Sequence, residues 1–256
     1  MNVDGVSTED TNGDGVSEET AAAQLIEDDQ GLALVAEDGA TVRAAVEHLS
    51  APRRGRDLLG RAVKGALKGT PATAGSAPQI VDATAGLGAD SFHLAAMGLS
   101  VLMVERVPDI AALLADALAR ASSGAYGEDA RRAVANLSLR DGDASAILVE
   151  LAAAGRNPAV VYLDPMYPGT KKSALPGKGM ALFRALVGAD DDAAQLLEVS
   201  RRVASRRVVV KRPLKAPYLG GQGPTGSLKG STTRYDLYAP LVAQPYTQLV
   251  TPEAGE

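Results

Sequence analysis

Between residues 79 and 240, short apolar runs alternate with longer stretches of helical period, and that alternation narrows the possible architectures more than any other feature. QIVDA (79–83), SVLMVE (100–105), LSLRDG (137–142), AVVYLD (159–164) and RRVVVKRP (206–213) read as strands. DSFHLAAMG (90–98), residues 109–122, 144–154 and most of 178–200 read as helices. Strands alternating with helices, the strands nearly all apolar, predict a parallel sheet covered on both faces. The final strand, RYDLYAP (234–240), follows its predecessor after a stretch rich in Gly, Pro and Lys that has no helical period. These two strands are therefore expected to pair antiparallel through a long loop.

The first strand leads into VDATAGLGAD, where Gly86 and Gly88 let a ligand approach the backbone beside a helix start. The pattern is not a complete dinucleotide fingerprint, because Ser91 stands where a third glycine belongs. Glu105 ends the next strand, where a carboxylate can accept both hydroxyls of a ribose. Asp143 follows the third strand and could face an adenine ring or cap the next helix.

The fourth strand ends in VYLDPMYP, with Asp164, Pro165 and Tyr167 in sequence. A dehydrogenase gives no reason for an acid, two prolines and a tyrosine over the crevice, whereas methylation of an exocyclic amine does. Such an amine is a poor nucleophile, since its lone pair is delocalised into the base. Hydrogen bonds from its N–H groups to the Asp164 carboxylate and the Pro165 carbonyl would aim that lone pair at a methyl donor. Positioning of this kind can contribute up to ~7 to 11 kcal/mol. Tyr167 offers a face on which an unstacked base can lie. The expected fold class is α/β: a class I S-adenosylmethionine-dependent methyltransferase, Rossmann-like, with an antiparallel last strand on a mostly parallel sheet.

Charge is unevenly distributed. Residues 1–30 hold nine acids and no Lys or Arg, which leaves 22 acids against 26 bases in residues 31–256. The tail is expected to be disordered, because it repels itself and has little to bury. Asp10, Asn12, Asp14 and Gly15 match half of a calcium loop, but Ala21 stands where its closing Glu belongs, so a solvated tail is the better reading. There is no Cys and there are two His, which argues against a metal centre. No basic leader precedes an apolar stretch and no run reaches ~18 apolar residues, so a cytoplasmic protein without a membrane partner is expected.

Residues 41–69 read as helical and basic toward their end, and 70–78 (TPATAGSAP) as a linker. The expected organisation is an acidic tail over 1–30, a small N-terminal segment with linker over 31–77, a methyltransferase domain over 78–243 and a C-terminal tail over 244–256. Lys171, Lys172, Lys211, Arg212, Lys215 and Lys229 fall in loops expected at the carboxyl edge of the sheet, where they could hold phosphates. His93, on an apolar helix face, reads as a packed residue.

DATAGLGAD, the Glu105–Arg106 pair, VVYLDPMYP, KKSAL, FRALVGAD, RRVVVKRP and RYDLY, in this order, resemble the RsmJ family of bacterial 16S ribosomal RNA guanine-N2 methyltransferases. The resemblance covers about residues 79 to 240. It implies S-adenosylmethionine as donor, S-adenosylhomocysteine as product, no metal, and small-subunit ribosomal RNA or the ribosomal subunit as partner, with no obligate protein partner. Carried over by motif, the donor-binding positions are Ala89, Asp90, Glu105, Arg106, Asp143, Ala144 and Asp164, beside the Gly86–Gly88 turn. The chain departs from the family pattern at Ala89, where Arg is usual, and at Asp143–Ala144, where two Ser are usual. Upstream, only APRRGRDLLGRAVK echoes the family's basic segment. Two other readings stay open at this point: methylation of another exocyclic amine such as adenine N6 in RNA or DNA, and a non-catalytic RNA-binding module with the same fold.

Overall fold

The computed structural model describes residues 23–50, 57–69, 77–167, 177–188, 190 and 192–241. Its centre is a seven-stranded sheet built from β4 (Ile80–Asp82), β5 (Val101–Glu105), β6 (Leu137–Asp141), β7 (Val160–Leu163), β8 (Arg207–Pro213), β9 (Gly226–Lys229) and β10 (Thr233–Tyr238). The strand order is β6-β5-β4-β7-β8-β10-β9. Strands β4 to β8 run parallel, while β10 is antiparallel to both β8 and β9. The order reverses between β4, which leads outward to β5, and β7. Ligands of open α/β sheets bind at such a reversal, beyond the carboxyl ends of the strands.

The apolar runs form central strands because both of their faces are covered: every residue of β4, β5 and β7 is buried. On one face, α1 (Leu58–Leu67), α2 (Ala89–Ala96), α3 (Pro108–Ser122) and α4 (Gly127–Val134) enclose Phe92, Leu94, Met103, Leu114 and Tyr162. On the other, α5 (Ala144–Ala153) and α7 (Ala193–Val203) cover Val81, Val161, Leu163 and Val210. Full burial of one such side chain contributes about 1.5 to 3 kcal/mol. The helical reading of 178–200 resolves into two helices, α6 (Lys178–Val187) and α7, because Gly188 at φ 72° ends the first.

Two expectations at the N-terminus are corrected. Residues 1–22 lie outside the described residues, but 23–30, read as part of a disordered tail, form strand β1 (Ala23–Asp28) and its turn. This strand pairs antiparallel with β2 (Gly31–Ala36), which in turn pairs with β3 (Thr41–Val42). The apolar run GLALVA supplies the hairpin partner that the acid count concealed. Arg43 fastens the hairpin, donating to Asp28 Oδ2 at 2.5 Å and to the Gly31 carbonyl at 2.7 Å. The helical reading of 41–69 holds, among the described residues, only for the short turn Val46–Leu49 and for α1. Thr41 and Val42, both β-branched, extend the small sheet, and α1 starts only at Leu58 behind Asp57, whose carboxylate accepts from Gly60 N at 2.8 Å.

The small sheet is docked rather than set apart. Asp116 of α3 accepts from Leu32 N at 3.0 Å, and Arg120 donates to the Asp29 carbonyl at 2.6 Å. Leu34 and Val42 share a cluster with Ile110, Leu113, Leu182 and Phe183. Gly179 of α6 passes so close to β3 that a Cβ there would lie 2.5 Å from the Thr41 carbonyl oxygen. Residues 43–48 are thereby brought to the carboxyl edge of the large sheet. Residues 70–76 of the TPATAGSAP linker and the tail beyond 241 lie outside the described residues.

Candidate active site

A crevice of about 1040 Å³ opens where the strand order reverses. Its floor begins with the glycine turn after β4. Gly86 and Gly88 have φ values of 53° and 84°, and a Cβ on Gly88 would sit 2.7 Å from the Phe92 ring and 2.9 Å from Leu114. Only glycine fits there, so α2 can begin directly beneath the crevice, with Ala89 and Asp90 in its first turn.

Glu105, at the end of β5, has a role in the turn that the sequence reading missed. Its two carboxylate oxygens each accept a backbone N–H at 2.8 Å, from Gly86 and from Val107. Burial raises its affinity for a proton, and these backbone bonds oppose that rise. The carboxylate still lines the crevice, where its remaining acceptor capacity can meet a ribose hydroxyl.

Asp143 caps the helix that follows. One oxygen accepts from Ala146 N at 2.8 Å at the start of α5, while the residue remains exposed on the crevice wall. Beside it Val104, Ala144, Ala193 and Leu196 form an apolar slot. The Glu105 carboxylate, this slot and the backbone of Gly86, where a Cβ would reach 3.2 Å from the crevice-lining Phe183 ring, together fit an adenosyl group. The donor set suits S-adenosylmethionine, whereas among the described residues no cluster of three metal-binding side chains occurs.

Arg106, carried over as a donor-binding residue, is committed to a strut. Its guanidinium reaches Asp190 at 2.5 Å and both oxygens of Asp192 at 3.1 Å. The other oxygen of Asp190 accepts from Met166 N at 2.5 Å. The end of β5 is thus linked through the segment after α6 to the turn that follows β7. Asp190 and Asp192 belong to an acidic run after Gly188, the one sequence signal that could have found them.

That turn carries Asp164. Its backbone N–H donates to Thr84 Oγ1 at 2.7 Å, which ties it to the glycine loop. Its Oδ2 accepts from Lys211 Nζ at 2.7 Å, and the same ammonium reaches Asp90 Oδ2 at 2.9 Å. Asp90 Oδ2 also accepts from the buried Tyr162 hydroxyl at 2.5 Å. Loss of water raises the proton affinity of Asp164, Lys211 lowers it and Asp90 raises it again. Asp82, fully buried and bonded to Ser91 at 2.6 Å, is pushed up to about 7, chiefly by burial.

The basic residues assigned to phosphates separate into three groups. Lys211 is corrected: it lies inside the site between two carboxylates. Arg212 is corrected as well, since it is 5% exposed and lies over the Tyr167 ring at 4.6 Å from the centroid. Strand β8 alternates sides, so of this adjacent pair one turns into the crevice and the other under the tyrosine. Lys215 does line the crevice and is exposed, and Lys229 is exposed on β9. Lys171 and Lys172 lie outside the described residues. The sequence reading did not anticipate that Arg43, Glu47 and His48, with Met180, Phe183 and Arg184 of α6, form the opposite wall. His93 is buried as expected, 3.2 Å from Asp57.

The parallel sheet with its antiparallel end, the glycine turn, the carboxylate closing the second strand and the acidic turn after the fourth strand define a class I S-adenosylmethionine-dependent methyltransferase. A family model described as SAM-dependent methyltransferase matches residues 14–240. Proteins called "Ribosomal RNA small subunit methyltransferase J" are similar to the chain. The one from Chromohalobacter salexigens is 45% identical over 88% of this chain and 88% of its own length. The one from Thioalkalivibrio sulfidiphilus is 52% identical over 63% of this chain and 62% of its own length. A solved SAM-dependent methyltransferase from Neisseria gonorrhoeae shares 31% identity and a TM-score of 0.65, over 89% of this chain and 87% of that one. The chain belongs to the RsmJ family of S-adenosylmethionine-dependent methyltransferases.

Proposed function

We propose that this protein transfers a methyl group from S-adenosylmethionine to the exocyclic N2 of a guanine in 16S ribosomal RNA, in the cytoplasm, leaving S-adenosylhomocysteine. The observation that carries this reading is Asp164, tied to the glycine loop by its backbone N–H on Thr84 Oγ1 and held at its carboxylate by Lys211, on the wall of the crevice. The small-subunit substrate follows from the names of the relatives.

The bound donor supplies an electrophilic sulfonium methyl. Gly86 to Asp90, Glu105, Asp143 and Ala144 would hold it along the strand ends. Lys211 occupies Oδ2 of Asp164, and among the described residues Oδ1 accepts no hydrogen bond. Oδ1 and the Pro165 carbonyl are the acceptors for the two N–H groups of the guanine amine, an arrangement that turns its lone pair toward the methyl. Fixing this geometry is the principal contribution, since alignment alone can supply several kcal/mol, up to about 7 to 11. Once the methyl has moved, the nitrogen carries a surplus proton, and Oδ1, already bonded to that N–H, is its nearest acceptor. Tyr167 supports the base, and Lys215 with Arg184 can meet phosphates at the crevice mouth.

Nucleoside analysis of 16S ribosomal RNA and of small subunits, each treated with the protein and S-adenosylmethionine, tests the assignment. N2-methylguanosine is the expected product. Accumulation of N6-methyladenosine would move the reading to the adenine amine, and RNA binding without transfer would leave only a binding module.

A further inference from the structure

Among the residues around the crevice, Lys211 stands out. It follows the buried valines of β8, turns inward, and contacts two carboxylates that arise 74 residues apart, on α2 and after β7. We propose that Lys211 is a positioning residue for methyl transfer, anchored on Asp90 and fixing the Asp164 carboxylate so that Oδ1 faces the substrate amine. This inference rests on the methyltransferase reading above.

The geometry is that of a clamp. Asp90 is held by the Tyr162 hydroxyl, and Asp164 is held at its backbone by Thr84. With both ends tied, the ammonium bonded at 2.9 Å and 2.7 Å leaves the Asp164 carboxylate little freedom to rotate. An ordinary phosphate-contacting lysine would extend into solvent, whereas this side chain is only 27% exposed.

The clamp also bears on ionisation. Facing Asp164 are Asp90 on α2, Asp82 on β4, Tyr162 on β7, and Lys211 and Arg212 on β8; Tyr235 of β10 lies behind Tyr162. Three carboxylates therefore share this space, and Lys211 is bonded to two of them. Without it, Asp164 faces Asp90 in a partly desolvated setting, which favours its protonated form. A protonated Asp164 presents a hydroxyl where the amine needs an acceptor. The active form is the carboxylate, so activity is lost as pH falls through the Asp164 titration, and removing Lys211 moves that loss to higher pH.

The test uses the full chain as wild type, Lys211→Met and Lys211→Arg. Methyl transfer to 16S ribosomal RNA is followed from pH 5.5 to 9, donor affinity is measured by calorimetry, and the Asp164 carboxyl carbon is titrated by ¹³C NMR, assigned with Asp164→Asn. Lys211→Met should lower kcat by about 10²-fold near neutrality, the scale seen when one transition-state hydrogen-bonding group is lost. The KM for RNA should change less than threefold, and both the acid limb and the carboxyl titration should move up by at least one pH unit. Lys211→Arg should keep the wild-type limb and recover at least a tenth of the rate. A raised KM with unchanged kcat and unchanged limb would make Lys211 an RNA contact and overturn the proposal. An unshifted carboxyl titration in folded Lys211→Met would overturn it as well. The NMR arm needs no RNA, so it still judges the clamp if the wild type fails to methylate ribosomal RNA.

Discussion

The guanidinium of Arg212 lies over the ring of Tyr167, 4.6 Å from its centroid, and covers one face of the only aromatic residue in the DPMY turn. Arg212 is buried and its charge is disfavoured by desolvation, which strengthens its attraction to the ring. The covered face fixes the ring plane, and the other face remains for a base. Replacing Tyr167 by Ala should raise the KM for RNA by the worth of one base stack, about 1 to 3 kcal/mol, with donor affinity unchanged. Tyr167→Phe should stay within a few-fold of wild type. Steady-state kinetics together with donor calorimetry separates the two effects.

The second prediction concerns Asp82. Burial holds its titration at about 7 in the folded chain, against an ordinary value of 3.8. A carboxyl raised on folding stabilises the protein fully below its unfolded titration, and that contribution disappears as pH rises through the folded value. Stability should therefore fall between pH 4 and 7, by an amount on the order of a few kcal/mol. Asp82→Asn should flatten that slope in urea melts recorded across the same range. An unchanged slope would place the titration elsewhere.

Gly88→Ala tests the glycine floor. The substitution demands φ near 84° from a residue with a side chain and drives a Cβ against Phe92 and Leu114. A loss of about 1 to 3 kcal/mol in folding stability is expected, together with weaker donor binding. Gly98→Ala is the comparison: it has a similar positive φ but open space around it, so it should destabilise less and leave donor affinity intact.

Arg106 reaches the DPMY turn only through Asp190, whose second oxygen holds Met166 N. Arg106→Gln should lower kcat several-fold by loosening that turn, while the fold remains, because the side chain is 38% exposed and packs no core. Asp190→Asn should produce a similar loss, and the double variant little more than either single one, since both changes break the same strut. Additive losses would show that the two residues act separately.

Much of this arrangement was legible in the sequence, for identifiable reasons. The sheet announced itself because buried parallel strands must be apolar along their whole length, as VLMVE and VVYL are. Asp164 was legible because an acid followed by prolines is out of place at the end of such a strand. Lys211 was misread, since a Lys–Arg–Pro run at a strand end has the composition of a phosphate-binding loop, and its anchor Asp90 lies 121 residues away. The strut at Arg106 was hidden for a similar reason: only its distant partners Asp190 and Asp192 reveal it. Strand β1 was hidden by its own acids, because its pairing depends on GLALVA and on Arg43, neither of which an acidic composition reveals. The opposite wall of the crevice was invisible for want of any local motif. It exists because β3 and α6 pack closely enough that Gly179 tolerates no side chain.

The central claim is that Asp164 aims a guanine amine at the donor methyl. Transfer of labelled methyl from S-adenosylmethionine to 16S ribosomal RNA, with wild type and Asp164→Ala compared at equal donor occupancy, tests it most directly. N2-methylguanosine is expected from the wild type, with a loss of at least about 10²-fold in the variant, the scale of one lost transition-state contact. Equal transfer by both proteins would contradict it.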